Sequence, residues 1–336
     1  MHGEELVTVV IPARNEEQYL DACLESVLTQ DYQALQVVVV DGDSSDRTAE
    51  VVRLRMAEDA RVELVHNSLR NIPSSLNLAL AHADGTWLVR VDAHSTISPG
   101  YVRLAVDRLR EGTWSGVGGR KDAVGRTPAG RAIAVALSSR FGVGNSTYHF
   151  GTTAQEVDHL PFGAYPVQVV RQVGGWDEDL AANEDFEFDY RLRQAGHRLL
   201  FDPRMVISWH CRQSIADLFR QYHRYGRGKV DVAWLHPESL QVRHLAPPAF
   251  VAYAAAGLLL NARHPTRWMA MLAPYAVALG AESVRSGRQL KTPAERIRLP
   301  PAFLAMHIGW GAGVWSGLRT TLLQQLRERL AERRRR

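Results

Sequence analysis

Cysteine is scarce in this chain: two residues in 336, Cys23 and Cys211. Two thiols build neither a disulfide framework nor a cysteine-rich zinc site. His210 and Cys211 look like a ligand pair but lack partners at zinc spacing, so both read as structural, and Cys23 reads as core. Glycine-rich phosphate loops are missing as well. The first apolar run, Leu6–Ile11, leads into Pro12-Ala-Arg-Asn-Glu16. A dinucleotide fold needs G-x-G-x-x-G there, and no G-x-x-x-x-G-K-[ST] loop follows elsewhere. No secretory leader is expected, because Met-His-Gly-Glu-Glu is acidic and Leu6–Ile11 is too short for a signal core. The front part is therefore expected to stay on the cytoplasmic side of any membrane. The front also lacks an excess of positive charge. Residues 1–240 carry 25 Lys/Arg against 32 Asp/Glu, a net of −7, whereas residues 241–336 carry 15 against 4, a net of +11. An acidic front argues against nucleic acid as a partner. A basic tail with apolar runs points to an anionic surface such as a membrane. With 46% hydrophobic and 23% charged residues, the chain is neither disordered nor collagen-like. The shift near residue 240 divides it into 1–240 and 241–336.

What is present is an alternation of strands and helices. Leu6–Ile11, Leu35–Val40, Val62–His66 and Trp87–Val91 are short, β-branched apolar runs that read as buried strands. Between them, Leu20, Cys23, Leu24, Val27 and Leu28 fall on one helical face, with Asn15 and Gln18 as a candidate cap. Thr48–Met56 and Ser74–Ala83 read as further helices. The pattern predicts an α/β fold with a mostly parallel sheet covered on both faces. Ligands of such sheets bind beyond the C-terminal strand ends. Here those ends carry Pro12–Glu16, Asp41-Gly-Asp43 and Asp92-Ala-His94.

An acidic pocket that holds a phosphorylated ligand needs a cation. Asp92 and His94, two residues apart on an extended segment, point to the same side. A carboxylate with an imidazole suits Mn2+, or Mg2+ where water completes the shell. The competing reading makes Asp92 a turn cap and His94 a surface polar residue.

Taken together, Val9-Val-Ile-Pro-Ala-Arg-Asn-Glu16, Val37-Val-Val-Val-Asp-Gly-Asp-Ser-Ser-Asp46, Arg90-Val-Asp-Ala-His94 and Asn183-Glu-Asp-Phe-Glu187 resemble family 2 of the inverting glycosyltransferases. The resemblance runs in the family's order over residues 5–235. It is closest to the succinoglycan-biosynthesis glucosyltransferase-like branch, where Asp-Ala-His stands for the usual D-x-D. Phe162-Gly-Ala-Tyr165, Gly174-Gly-Trp-Asp177 and Gln221-Tyr-His-Arg-Tyr-Gly226 add to it. The resemblance implies the GT-A fold and a nucleoside-diphosphate sugar as donor, with UDP and glucose as the branch default. It also implies a divalent metal and a hydroxyl acceptor on a lipid-linked saccharide or polysaccharide. By position, Asp41 resembles the residue that reads the base. Pro12, Ala13 and Glu16 resemble the segment holding the nucleoside, with Arg70 near base or phosphate. Asp92 and His94 resemble the metal-diphosphate motif, and Asp185 the catalytic base. Glu184 and Trp176 are candidates on the acceptor or diphosphate side. Gln221, Arg224 and Tyr225 fall where relatives carry Q/R-x-x-R-W, with Tyr225 in place of Trp.

Other readings stand beside these. Asp41 also reads as a helix cap. Glu184, Glu187 and Asp189 read as solvated charges on a helix Phe186–Ala195, with Asp185 and Asp189 on one face. Trp176 reads as packing rather than as a sugar platform. Gly118-Gly119-Arg120 reads as close passage of the backbone by the donor sugar, or as an ordinary turn. A nucleotidyltransferase, or a non-catalytic sugar-binding scaffold, is the alternative function. In the tail, uncharged runs cover Leu245–Ala262, Trp268–Ala281 and Leu299–Leu318. A spanning helix needs about 20 residues, so the third is expected to be long enough, the first is borderline and the middle one is short. Arg243, Arg263, Arg267, Arg285, Arg288, Arg319 and Arg333–Arg336 flank them, as in interfacial anchoring. The expected location is the cytoplasmic face of the cell membrane.

Overall fold

The computed structural model describes residues 4–335. Within them the chain forms two compact units, one made of residues up to 123 with 146–210, the other of 124–145 with 211 onward. The second unit thus takes in segments, 124–145 and 211–240, that composition alone groups with the front.

The elements of the first half are β1 (Val7–Ala13), α1 (Leu20–Leu28), β2 (Leu35–Asp41), α2 (Thr48–Glu58), β3 (Val62–His66), α3 (Ile72–Ala81), β4 (Trp87–Arg90), β5 (Ser95–Ile97), α4 (Tyr101–Arg110) and β6 (Gly116–Val124). There follow α5 (Pro128–Leu137), α6 (Arg140–Val143), β7 (Gln155–Val157), β8 (Ala164–Pro166), α7 (Val167–Val173), α8 (Glu184–Gln194) and β9 (Leu199–His210). The chain closes with α9 (Ile215–Leu235), α10 (Val242–Leu260), α11 (Pro265–Gly287), α12 (Pro293–Arg296) and α13 (Leu299–Arg335).

In the first unit one mixed sheet has the order β3-β2-β1-β4-β8-β6-β9-β5, with β7 on β9. The four strands legible as apolar runs pair in parallel. β8 then runs antiparallel to β4 and to β6. Side chains alternate across a strand, and the core divides accordingly. Val7, Val9, Ile11, Val37 and Val39 pack on one face with Leu20, Cys23, Leu24 and Val27 of α1. Val10, Val38, Val40 and Leu88 pack on the other with Leu76 and Leu80 of α3 and Phe188 and Leu192 of α8. A strand buried on both faces has no polar register, which is why these strands read as unbroken apolar runs.

On β6 a glycine serves the packing of the sheet. A Cβ on Gly119 would lie 1.8 Å from the carbonyl oxygen of Met205 on β9, so the glycine permits close approach of two strands.

The second unit is helical. Among the described residues no helix is long and apolar enough to cross a membrane, which corrects the expectation for Leu299–Leu318. That run is uncharged but diluted by Gly309, Gly311, Gly313 and Gly317. These glycines let α13 approach its neighbours closely: a Cβ on Gly313 would lie 2.1 Å from the His223 carbonyl of α9. The α10–α11 pair is different in character. Leu259 and Leu260 at its bend are 79% and 83% exposed, with Arg263 and Arg267 just beyond. The arginines 333–336 lie outside the residues whose side chains are described.

Candidate active site

Because β1 to β4 run parallel, their C-terminal ends share one edge of the sheet. Pro12–Glu16, Asp41–Asp46, Asn67–Arg70 and Asp92–His94 all lie at or just beyond those ends. β6, antiparallel to β8 as β4 is, ends on the same edge. The first two loops are laced together. The Ser45 amide donates to Asn15 Oδ1 at 2.8 Å, and the Glu16 amide to Thr48 Oγ1 at 2.8 Å. Asn15 therefore does not cap α1, which starts at Leu20. The four non-glycine residues with positive φ among those described are Asn15, Asp43, Arg70 and Asn183. Three belong to these loops and the fourth precedes α8. Such backbone costs of order 1–3 kcal/mol per residue and gathers at working loops.

On the donor side, Asp41 is buried and its carboxylate accepts the Ser44 amide at 3.3 Å. It thus holds its own turn, two strand spacings, about 10 Å, from β4. Pro12 and Ala13 end β1, and the Ala13 carbonyl accepts the Gly42 amide at 2.8 Å. Arg70 donates through Nε to Asp43 Oδ2 at 2.7 Å, and its carbonyl accepts from Arg14.

Glu16 lies beside His94, with Glu16 Oε1 and His94 Nδ1 3.0 Å apart. A carboxylate that fixes one ring nitrogen leaves the other oriented for a metal. His94 Nε2 makes no hydrogen bond among the described residues. No group of three or more ligating side chains gathers among them either. Asp92 and His94 would therefore supply two ligands and leave the rest of the shell to phosphate oxygens and water, as small hard divalent ions accept. The residues fit the group.

Arg90 joins the two halves of the site. At 4% exposure it donates through Nε to Asp92 Oδ1 at 3.2 Å and through Nη2 to Glu184 Oε1 at 3.3 Å. One guanidinium thereby ties the end of β4 to the first turn of α8. Burial works against its charge, but Asp92, Glu184 and Asp185 outweigh it and hold its pKa up.

Asp185 follows on α8. Its carboxylate accepts the Phe186 amide at 2.8 Å and lies 3.9 Å from Nε2 of His159. Its side chain is 26% exposed, enough for a hydroxyl to reach it. Burial pushes its pKa up, but His159, Arg90, the Phe186 amide and Lys121 together pull it below the ordinary aspartate value. His159 is fixed from behind by Asp189. That fully buried carboxylate pairs with His159 Nδ1 at 2.8 Å and accepts the Leu160 amide at 2.7 Å and the Tyr165 hydroxyl at 3.0 Å. Burial lowers the pKa of His159, and the carboxylates of Asp185 and Asp189 more than offset it. The reading of Glu184, Glu187 and Asp189 as solvated charges is thus corrected: all three are buried, and Glu187 accepts Arg191 at 2.6 Å.

Other candidates take different places. Trp176 is 3% exposed and stacks on Phe188 with ring centres 4.7 Å apart, so it is core and not an acceptor platform. Gln221, Arg224 and Tyr225 lie on α9 in the second unit. There Gln221 Nε2 donates to the Tyr225 hydroxyl at 2.9 Å, and Arg224 lies over the Tyr225 ring. Sequence reasoning missed Arg90, Lys121, His159 and Asp189 as parts of the site. Arg90 had a local sign, a charge at the end of an otherwise apolar strand.

The family model for glycosyl transferase family 2 matches residues 8–166. The succinoglycan biosynthesis protein ExoA of Rhizobium meliloti is 32% identical over 332 residues, covering 95% of this chain and 98% of that protein. This chain belongs to glycosyl transferase family 2. Among solved structures, a mannosyltransferase of Pyrobaculum calidifontis, in complex with GDP-Man and Mn2+, superposes with a TM-score of 0.63 at 22% identity. The match covers 92% of this glycosyltransferase and 88% of that chain. TarS of S. aureus, residues 1–349 in complex with UDP-GlcNAc, gives 0.53 at 18% identity, covering 94% and 92%. The fold of the glycosyltransferase is thus the GT-A type expected from its motifs.

Proposed function

We propose that this glycosyltransferase moves a hexose, glucose first among candidates, from a nucleoside diphosphate, UDP, to a hydroxyl of a lipid-linked saccharide or polysaccharide, with inversion. The observation that carries the reading is the Arg90 bridge, which ties Asp92 to the helix turn bearing Asp185. Asp185 takes the proton of the acceptor hydroxyl as its oxygen bonds to the anomeric carbon. The bond from that carbon to the diphosphate breaks, and its electron pair leaves on the phosphate oxygen. A single displacement inverts the centre, so an α-linked donor gives a β-linked product. Asp92 and His94 would hold a divalent ion, which would supply positive charge against the departing diphosphate.

The test is a donor screen on the full chain. Several nucleotide sugars are incubated with Mn2+ and a membrane extract, reading released nucleoside diphosphate. UDP-glucose is expected to be turned over, chelation to stop release, and Mn2+ or Mg2+ to restore it. Turnover at the full rate in excess chelator would overturn metal dependence.

We also propose that the α10–α11 pair lies on the cytoplasmic face of the cell membrane, where a lipid-linked acceptor would be held. Its exposed Leu259 and Leu260 beside Arg263 and Arg267 match an interfacial helix with anionic-lipid affinity. The parent protein is expected to float with vesicles of anionic lipid, and the L259E/L260E double variant to lose most of that binding. Equal flotation of both would sink the proposal.

A further inference from the structure

Lys121 lies on β6. Its ammonium lies 4.4 Å from the centre of the Phe162 ring and 4.0 Å from that of Trp209. Aromatic faces attract a cation but satisfy none of its three N–H donors. Among the described residues Lys121 makes no hydrogen bond and no ion pair. Asp92, Asp185 and Glu184 act on it electrostatically without contact.

It is not alone in this. Arg90 rests against the same Phe162 ring, its guanidinium carbon 5.6 Å from the ring centre, and its Nη1 is buried without a partner. Trp209, under the ammonium, has a buried Nε1 without a partner. Buried donors in folded proteins are nearly all satisfied. Two unsatisfied donors, Arg90 Nη1 and Trp209 Nε1, on residues that share these rings with the half-buried Lys121 therefore call for an acceptor-rich occupant. The two Asp92 and Asp185 flanks limit what that occupant can be. Between the metal-ligand pair and the base lies the departing group of a glycosyl transfer, and a diphosphate is anionic with several acceptor oxygens. An ammonium with freely rotating donors suits phosphate oxygens.

We infer that Lys121 binds the diphosphate of the donor, held in place by Phe162 and Trp209. The inference rests on the reading of this edge as a nucleoside-diphosphate site. Burial lowers the Lys121 pKa to about 8, with Asp92 and Asp185 opposing, so an incoming anion meets an ammonium that lacks a close counter-charge.

The experiment is calorimetric titration of the full chain in Mn2+, with UDP, GDP and the two free nucleosides as probes. K121M keeps the aliphatic stem against the rings and removes the charge. Hydrogen bonds to charged groups contribute about 1.5–3 kcal/mol, so K121M should lose about tenfold to a hundredfold in affinity for the diphosphate. Its affinity for the free nucleoside should match the parent's, and K121R should recover part of the loss. K121Q serves as the second uncharged variant if K121M does not fold. Unchanged diphosphate binding by the uncharged variant would overturn the inference while leaving the functional reading intact. A parent that binds no nucleoside diphosphate would overturn both.

Discussion

Asp185→Asn should lower kcat by about 10²–10⁴-fold, the range of positioned general-base catalysis, while leaving nucleoside-diphosphate affinity close to the parent's. Asparagine has nearly the same shape, and its amide oxygen can still accept the Phe186 amide that Asp185 accepts at 2.8 Å. It cannot take a proton from a hydroxyl. Because the carboxyl titrates below the ordinary aspartate value, with His159 the foremost of the groups opposing the effect of burial, the base stays ionised across the neutral range. The acid limb of kcat/KM should accordingly lie under the usual carboxylate range. His159→Gln removes that neighbouring cation and should move the limb upward without weakening nucleotide binding. Parent turnover in Asp185→Asn, or an unmoved limb in His159→Gln, would refute the respective role.

β1 to β4 were legible because strands buried on both faces carry no polar alternation. The shared edge of Asp41, Asp92 and His94 was legible because parallel strands present their C-terminal ends on one side. The periodicity correctly put Asp185 and Asp189 on one helical face, but it cannot tell which way that face turns. Asp189 turns inward, onto His159 thirty positions away in the chain. The link from Arg90 to Glu184 spans 94 positions, and no spacing rule encodes such a pair. Gly119 was visible as a site of close approach, yet its partner, the Met205 carbonyl, is fixed by strand order. Trp176 was ambiguous for a similar reason, since an aromatic beside an aspartate has the same local pattern whether it faces Phe188 or solvent.

Arg90→Met should destabilise the first unit by about 3–5 kcal/mol, the usual cost of leaving a buried ionic partner uncompensated. The guanidinium is the shared partner of Asp92 and Glu184. Methionine fills similar volume, so the loss is electrostatic rather than a cavity. Glu184 makes the effect depend on pH. Its pKa is already above the ordinary glutamate value, chiefly through burial and next through Asp185, while Arg90 opposes them. Without Arg90 the folded-state value rises further. A carboxyl whose folded pKa exceeds its unfolded one stabilises the fold below the unfolded value and loses that contribution as pH rises through the folded value. The deficit of Arg90→Met should therefore be smaller at about pH 5 than at about pH 8, read from urea midpoints at both. Adding Glu184→Gln should recover part of the loss at the higher pH, because the buried group no longer needs a counter-charge. An equal deficit at both values, or no recovery in the double variant, would show that Arg90 stabilises this region by packing and not as the shared cation of β4 and α8.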